Sequence, residues 1–301
     1  MSSEKIASAV NILKGNLAAG WDIISGSQGE SERLGIARRF GGSAAAYSLR
    51  DIGAVNGRVV RVRRSSDDAE EDFSANQVAS GALEAFVGSG NDGFVSIWYD
   101  QSTSGNNAVQ ATAGNQPSIV QSGGICKSNG SPSVLFTGDT RDDELDFTDL
   151  TLTDAAIFSV VNIDSSADQQ ILLGGSASTS TSTMMPMMDN ASTSTQVYKN
   201  STVGGAEQGS SQFKNGSALT LADRDDAFDN LAVDSQILFT MIDVDVAEAK
   251  VLDGISRCPS NAVTFHLQGH MNELIIYNSD QSSDRGDIEL EIANYYSITL
   301  S

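Results

Sequence analysis

The sequence predicts an all-β antiparallel sandwich preceded by a short helical extension. Three observations carry this. A dozen short apolar runs follow one another with a period of two or less from Ala44 onward. Gly, Asn, Asp and Ser punctuate them, and apart from Gln77–Val87 no regular helix separates consecutive runs. Such a series argues for antiparallel layers rather than a parallel sheet with crossover helices. The chain has 301 residues, which suits one large sandwich plus a small N-terminal element.

The N-terminal element is expected over residues 3–20. Ile6, Val10, Leu13 and Leu17 form one stripe of a 3.6-residue period, and Trp21 extends it. Ser3 is the candidate cap and Gly20 the candidate stop. This stripe must be buried somewhere, either on its own domain or as an anchor or oligomer face. Residues 24–36 read as linker, so the expected division is 1–42 (helix and linker) and 43–301 (sandwich).

Expected strands are 45–51, 59–64, 94–100, 118–122, 133–136, 155–163, 170–174, 194–199, 236–243, 249–252, 263–267 and 273–278. Gln77–Val87 is expected to be helical, as is Ser282–Tyr296, whose Ile288, Ile292 and Tyr295/Tyr296 are spaced to pack back on the sheet. Ser176–Thr183 and Gly204–Ser217 read as loops. Between them stands Met184-Met-Pro-Met-Met188, a core segment or a subunit contact, since methionine adapts to irregular apolar surfaces.

Charge is strongly acidic and unevenly spread. Net charge is −21, with 10 Lys/Arg against 5 Asp/Glu in residues 1–64 and 8 against 34 in the rest. Such a body repels nucleic acid and anionic membranes, so neither is an expected partner. Acidic surfaces also arise simply for solubility. Cys126 and Cys258 are the only cysteines, which excludes a disulfide-dense secreted scaffold; separate thiols are expected. Met1-Ser-Ser-Glu-Lys5 lacks the pattern of a signal peptide, and no run approaches the ~20 apolar residues that span a bilayer.

A series of blocks carries a resemblance. Ala44-Ala-Ala-Tyr-Ser-Leu-Arg50 is followed by Arg58-Val-Val-Arg-Val-Arg-Arg-Ser-Ser-Asp-Asp68 and Phe94-Val-Ser-Ile-Trp-Tyr-Asp-Gln101. Asn106-Asn-Ala-Val-Gln-Ala-Thr112 and Asn115-Gln-Pro-Ser-Ile-Val120 close it. In this order the blocks resemble the start of the catalytic domain of the fungal-type α-L-arabinofuranosidase B family. Ala262–Asn278 resembles the closing hairpin of laminin-G-like and concanavalin A-like domains. The resemblances cover roughly residues 43–300 and imply a concanavalin A-like jelly roll.

The resembled enzymes use a mid-domain Glu nucleophile, an Asp acid further on and a bonded pair of adjacent cysteines. This chain has no glutamate between Glu144 and Glu207 and no adjacent cysteines. The expectation therefore leans away from an enzyme, with no catalytic residue assigned. It favours a phage virion structural protein, capsid-decorating, fibre or tail-associated, localised to the virion after synthesis in a host cytoplasm. Expected partners are other virion proteins, further copies of the chain and host glycans. The alternatives are an arabinofuranosidase-like glycoside hydrolase and a non-catalytic carbohydrate-binding module.

Candidate residues follow from these readings. Trp98, Tyr99, Asp100, Gln101 and Asn106 could offer aromatic faces and polar groups to a sugar, or bridge a strand end to its loop. Arg61, Arg63 and Arg64 stand across a tight turn from Asp67 and Asp68 and are expected to form structural ion pairs. His266 and His270 flank Gly269 and do not read as a metal site. No cofactor is expected beyond a weak structural Ca²⁺ at Asp-rich stretches such as Asp139–Asp146, Asp223–Asp229 or Asp243–Asp245.

Overall fold

The computed structural model describes residues 35–54, 56–138, 143–175, 183–200, 211–244, 252–258 and 265–301. The stripe Ile6, Val10, Leu13, Leu17 and Trp21 lies outside the described residues. A short helix α1 (Ile36–Arg39) opens the described chain. The strands follow as β1 (Ala45–Ser48), β2 (Val60–Arg64), β3 (Glu70–Phe73), β4 (Gly93–Trp98), β5 (Ala108–Val109), β6 (Ser118–Gln121), β7 (Gly124–Ile125), β8 (Lys127–Ser128), β9 (Ser131–Pro132) and β10 (Val134–Thr137). They continue as β11 (Leu145–Leu150), β12 (Ala155–Ile163), β13 (Gln169–Gly174), β14 (Thr183–Asp189), β15 (Lys199–Asn200), β16 (Ser211–Lys214), β17 (Ser217–Leu219), β18 (Ile237–Val244), β19 (Leu252–Ile255) and β20 (Gln268–Tyr277). Helices α2 (Ala75–Ala79) and α3 (Ala82–Val87) follow β3, α4 (Arg224–Leu231) precedes β18, and α5 (Arg285–Tyr296) closes the chain.

Every ladder is antiparallel, and the pairings sort into two layers. The back layer runs β17–β16–β18–β12–β20, with β1 and β10 sharing the free edge of β20. The front layer runs β3–β2–β4–β5–β11–β19–β13–β14–β15. Strand β6 leaves β4 and joins β10, turning the corner between them.

The main core fills the space between the layers. Val60, Val62, Trp98, Leu145 and Leu173 from the front meet Ile157, Val161, Phe239, Leu274 and Ile276 from the back. A second apolar layer covers the outer face of the back sheet. There Ile288, Ile292 and Tyr296, one stripe of α5, join Ile36 of α1 over Phe158, Val160, Ile275 and Tyr277. This explains β12, whose residues are buried at eight of nine positions: both faces are covered, so the alternation of a half-exposed strand is lost.

Several expectations need correction. The strand expected over 273–278 begins earlier, at Gln268, and lies inside the sheet, paired on both sides. The stretch 194–199 forms no strand before Lys199: Val197 and Tyr198 are buried in the core without joining a ladder. Of 263–267, the described residues 265–267 are likewise not strand. The methionine segment is itself strand β14. Met185 and Met188 enter the main core, while Met184 and Met187 join Ile171 and Phe265 in a separate cluster.

Candidate active site

The network around residues 98–107 is committed to the protein itself. The Asp100 carboxylate accepts from the backbone N–H of Ala46 at 2.8 Å, of Ser102 at 2.9 Å and of Asn106 at 2.9 Å, and from the Ser102 hydroxyl at 2.6 Å. Gln101 accepts from the Ile52 N–H at 2.8 Å and donates to the Ser48 carbonyl at 2.7 Å and the Arg50 carbonyl at 2.9 Å. Asn106 donates to the Ala44 carbonyl. Trp98 is fully buried with its ring centroid 5.9 Å from that of Tyr47, and Tyr99 is 7% exposed. Neither aromatic face is open to a sugar, which corrects that expectation. These side chains instead stitch the loop after β4 onto β1.

The arginines of β2 each hold an acid. Arg61 binds Asp72 through 2.7 and 3.1 Å bonds, Arg63 meets Asp68 at 2.6 Å, and Arg64 grips Asp67 through two 2.7 Å bonds. Arg58 and the Tyr99 hydroxyl also donate to Asp72. The Arg61 guanidinium, then Tyr99 and Arg58, hold the Asp72 carboxyl well below the usual carboxylate range; the Arg64 bond lowers Asp67 to about 2. With acids so paired, this hairpin is a braced structural element.

A different pair of acids, Asp146 and Asp253, meets at one arginine in the front layer. On β11, Leu145 and Phe147 point into the core, so Asp146 between them points outward. Across the ladder Asp146 is opposite Gly254 of β19, and Gly254 is opposite Gly174 of β13. Two facing glycines leave a trough, and Arg257 folds into it: a Cβ on Gly254 would stand 2.6 Å from Arg257 Cβ and 2.7 Å from its Cδ. From there Arg257 bonds Asp146 through Nη1, while its Nε lies 3.5 Å from Asp253 Oδ1. Asp253 is only 5% exposed.

One guanidinium thus spans two carboxylates. Burial raises the Asp146 carboxyl above its ordinary value, the Arg257 charge opposes that rise and the Asp253 charge adds to it. Beside the couple, Ile171, Met184, Met187 and Phe265 form an apolar cluster against which Cys258 packs. An acid whose pKa burial raises, a second carboxylate, a cation and a neighbouring apolar cluster are together equipped for acid–base work on a hydroxylated ring. Sequence reasoning missed this set because nothing local marks Asp146 or Asp253 among so many acids; only the fold brings them together.

The histidines do not converge. His266 Nδ1 is bonded to the Ser256 carbonyl at 2.8 Å. His270 Nδ1 is 2.8 Å from Ser133 Oγ, and burial lowers its imidazole pKa. His270 forms a row with Leu135 and Asn162 across three strands, at the floor of a cavity of about 370 Å³ that Asp164 and Asp234 also line. Asp154, Asp243 and Asp280, all exposed, have carboxylate oxygens within 4.8 Å of one another. Cys126 is buried, and burial pushes its thiol up to about 12, so it is no nucleophile. Among the described residues no helix is long and apolar enough to cross a membrane.

No protein-family model matches the sequence, and no curated protein sequence matches it. Solved structures do match in fold. An arabinofuranosidase complexed with arabinofuranosyl-α-1,2-xylobiose aligns with a TM-score of 0.50 at 13% identity. A mutant GH54 α-L-arabinofuranosidase soaked with 4-nitrophenyl α-L-arabinofuranoside aligns at 0.51 and 14%. Each alignment covers 85% of this chain and 64% of the other, so the chain spans less than two thirds of those enzymes' length. At such identities the likeness shows an arabinofuranosidase-like fold. It overturns the expectation of a phage virion component, because the matched structures are glycosidases and none is a particle protein.

Proposed function

We propose that this domain is an arabinofuranosidase-like glycoside hydrolase whose acid–base couple is Asp146 and Asp253. The observation that carries the reading is the pair of carboxylates, Asp146 and Asp253, spanned by the single guanidinium of Arg257, with burial raising the pKa of Asp146. Glycoside hydrolysis uses two such groups. Asp146, whose pKa burial raises, acts as the acid, donating a proton to the leaving oxygen as the glycosidic C–O bond breaks. Asp253 acts on the anomeric carbon, either by bonding to it directly or by taking a proton from the attacking water. Arg257 keeps both acids in place and is released toward substrate hydroxyls when a sugar enters. The fold shared with arabinofuranosidases supports the substrate class. We also infer the concanavalin A-like jelly-roll class, which the two antiparallel layers and the corner strand β6 support.

The test is turnover of 4-nitrophenyl α-L-arabinofuranoside. The expected result is release of nitrophenol by the wild type, reduced at least a hundredfold by either Asp146→Asn or Asp253→Asn. No release by the wild type overturns the reading.

One observation favours a second reading, binding without turnover. Arg257 contacts both acids, so their charge is already compensated. In that case arabinoside binding, measured by calorimetry, persists in the wild type without any release of nitrophenol.

A further inference from the structure

We propose that a groove beside the C-terminal helix binds a neutral sugar ring, as a secondary contact for a glycan chain. This proposal rests on the glycan-directed reading above, but uses none of the residues of the acid couple.

The groove has a volume of about 380 Å³, within the roughly 300–1,000 Å³ of small-molecule sites. It is lined by Leu49, Arg50 and Asp51 after β1, by α2 residues such as Asn76, by Ser131 and Pro132 of β9, and by Tyr295 and Tyr296 of α5. Tyr295 is 51% exposed, one of three large apolar side chains so open among the described residues. Its ring is nevertheless held. Arg50 sits 4.4 Å from its centroid, and Tyr296 meets it edge-on at 4.8 Å. Arg50 is in turn fixed by the buried Glu273 through Nε at 2.7 Å and Nη2 at 2.8 Å. Its third nitrogen, Nη1, takes no part in that pair.

An aromatic ring already held in place at the rim of a groove presents an apolar face that loses little freedom on covering a ligand. Its neighbours specify which ligand. Arg50 supplies a preorganised donor, Asn76 is exposed and can both donate and accept, and Asp51 accepts. Arg50 is neutralised by Glu273, and the chain carries −21, so an anionic ligand is disfavoured. A neutral ring with an apolar C–H face and peripheral hydroxyls satisfies both requirements.

The experiment is retention on soluble arabinoxylan in affinity electrophoresis, with wild type, Tyr295→Ala, Tyr295→Trp and Asp146→Asn. Wild type, Tyr295→Trp and Asp146→Asn are expected to be retarded, and Tyr295→Ala to bind roughly tenfold more weakly while turning over the small nitrophenyl substrate unchanged. Equal retention of Tyr295→Ala and wild type, or no retention of the wild type, overturns the proposal. Loss of retention in Asp146→Asn alone overturns it as well, by assigning all binding to the acid couple. Failure of the hydrolase reading shows separately, as absent turnover.

Discussion

Replacing Glu273 with alanine removes the most heavily used buried carboxylate in the back layer. Glu273 is 1% exposed and stands in register between Ser48 of β1 and Val160 of β12. Its oxygens receive two bonds from Arg50, one from Ser48 Oγ at 2.8 Å and one from the Tyr296 hydroxyl at 3.1 Å. The mutation leaves the Arg50 guanidinium, on a side chain 12% exposed, without its counter-charge. Breaking one side of a buried pair costs about 3–5 kcal/mol. The four bonds are not summed, because they share one acceptor group and are not additive. For a domain of this size that loss lowers the melting midpoint by roughly 6–10 °C. Thermal unfolding followed by circular dichroism, with urea titration as a second probe, reads it directly. The control is the double substitution Arg50→Met with Glu273→Met, which removes both charges and is expected to recover most of the loss. A Glu273→Ala midpoint within ~2 °C of wild type would refute the reasoning, since the pair would then contribute less than about 1 kcal/mol.

Two further outcomes follow from the geometry. Gly254→Ala places a methyl 2.6 Å from Arg257 Cβ, so it is expected to cost about 1–3 kcal/mol in urea unfolding and to cut nitrophenyl arabinoside turnover at least tenfold by displacing Arg257. Asp72, whose folded pKa is depressed mainly by Arg61, contributes stability that is full above the unfolded value near ~3.9 and is lost as pH falls through the folded one. Asp72→Asn is therefore expected to lose about 1–2 kcal/mol at pH 7 yet to show a flatter decline than wild type below pH ~4 in urea titrations; parallel curves would contradict the pairing.

How much of this was legible in the sequence depended on how local the cause was. Strand β12 was legible to the residue, because Ala-Ala-Ile-Phe-Ser-Val-Val-Asn-Ile is β-branched, apolar and bounded by turn residues. Helix α5 was legible from the spacing of Ile288, Ile292 and Tyr296, which the structure seats on the outer sheet face. Helix α4 was not, since three aspartates hide its stripe of Ala227, Phe228 and Leu231; its one local signal was Asp223 as cap, accepting from the Asp226 N–H. Strand β11 was missed because Leu145-Asp-Phe147 sits in an acidic stretch that reads as loop, although its alternation is what turns Asp146 outward. The motif Trp98–Gln101 was found but its role was not fixed by sequence: the same residue types serve a sugar site or a backbone network, and burial decides for the network. The acid couple depended entirely on tertiary structure. Two glycines opposed across β13 and β19 make room for Arg257, and no spacing along the chain announces that.

The most direct measurement of the central claim is the pH dependence of kcat/KM for 4-nitrophenyl α-L-arabinofuranoside. If Asp146 is the proton donor, the profile is a bell whose alkaline limb reports its raised pKa, and Asp146→Asn abolishes that limb while Asp253→Asn abolishes turnover. A rate no greater than that of buffer, or a bell unchanged in both variants, would contradict the account.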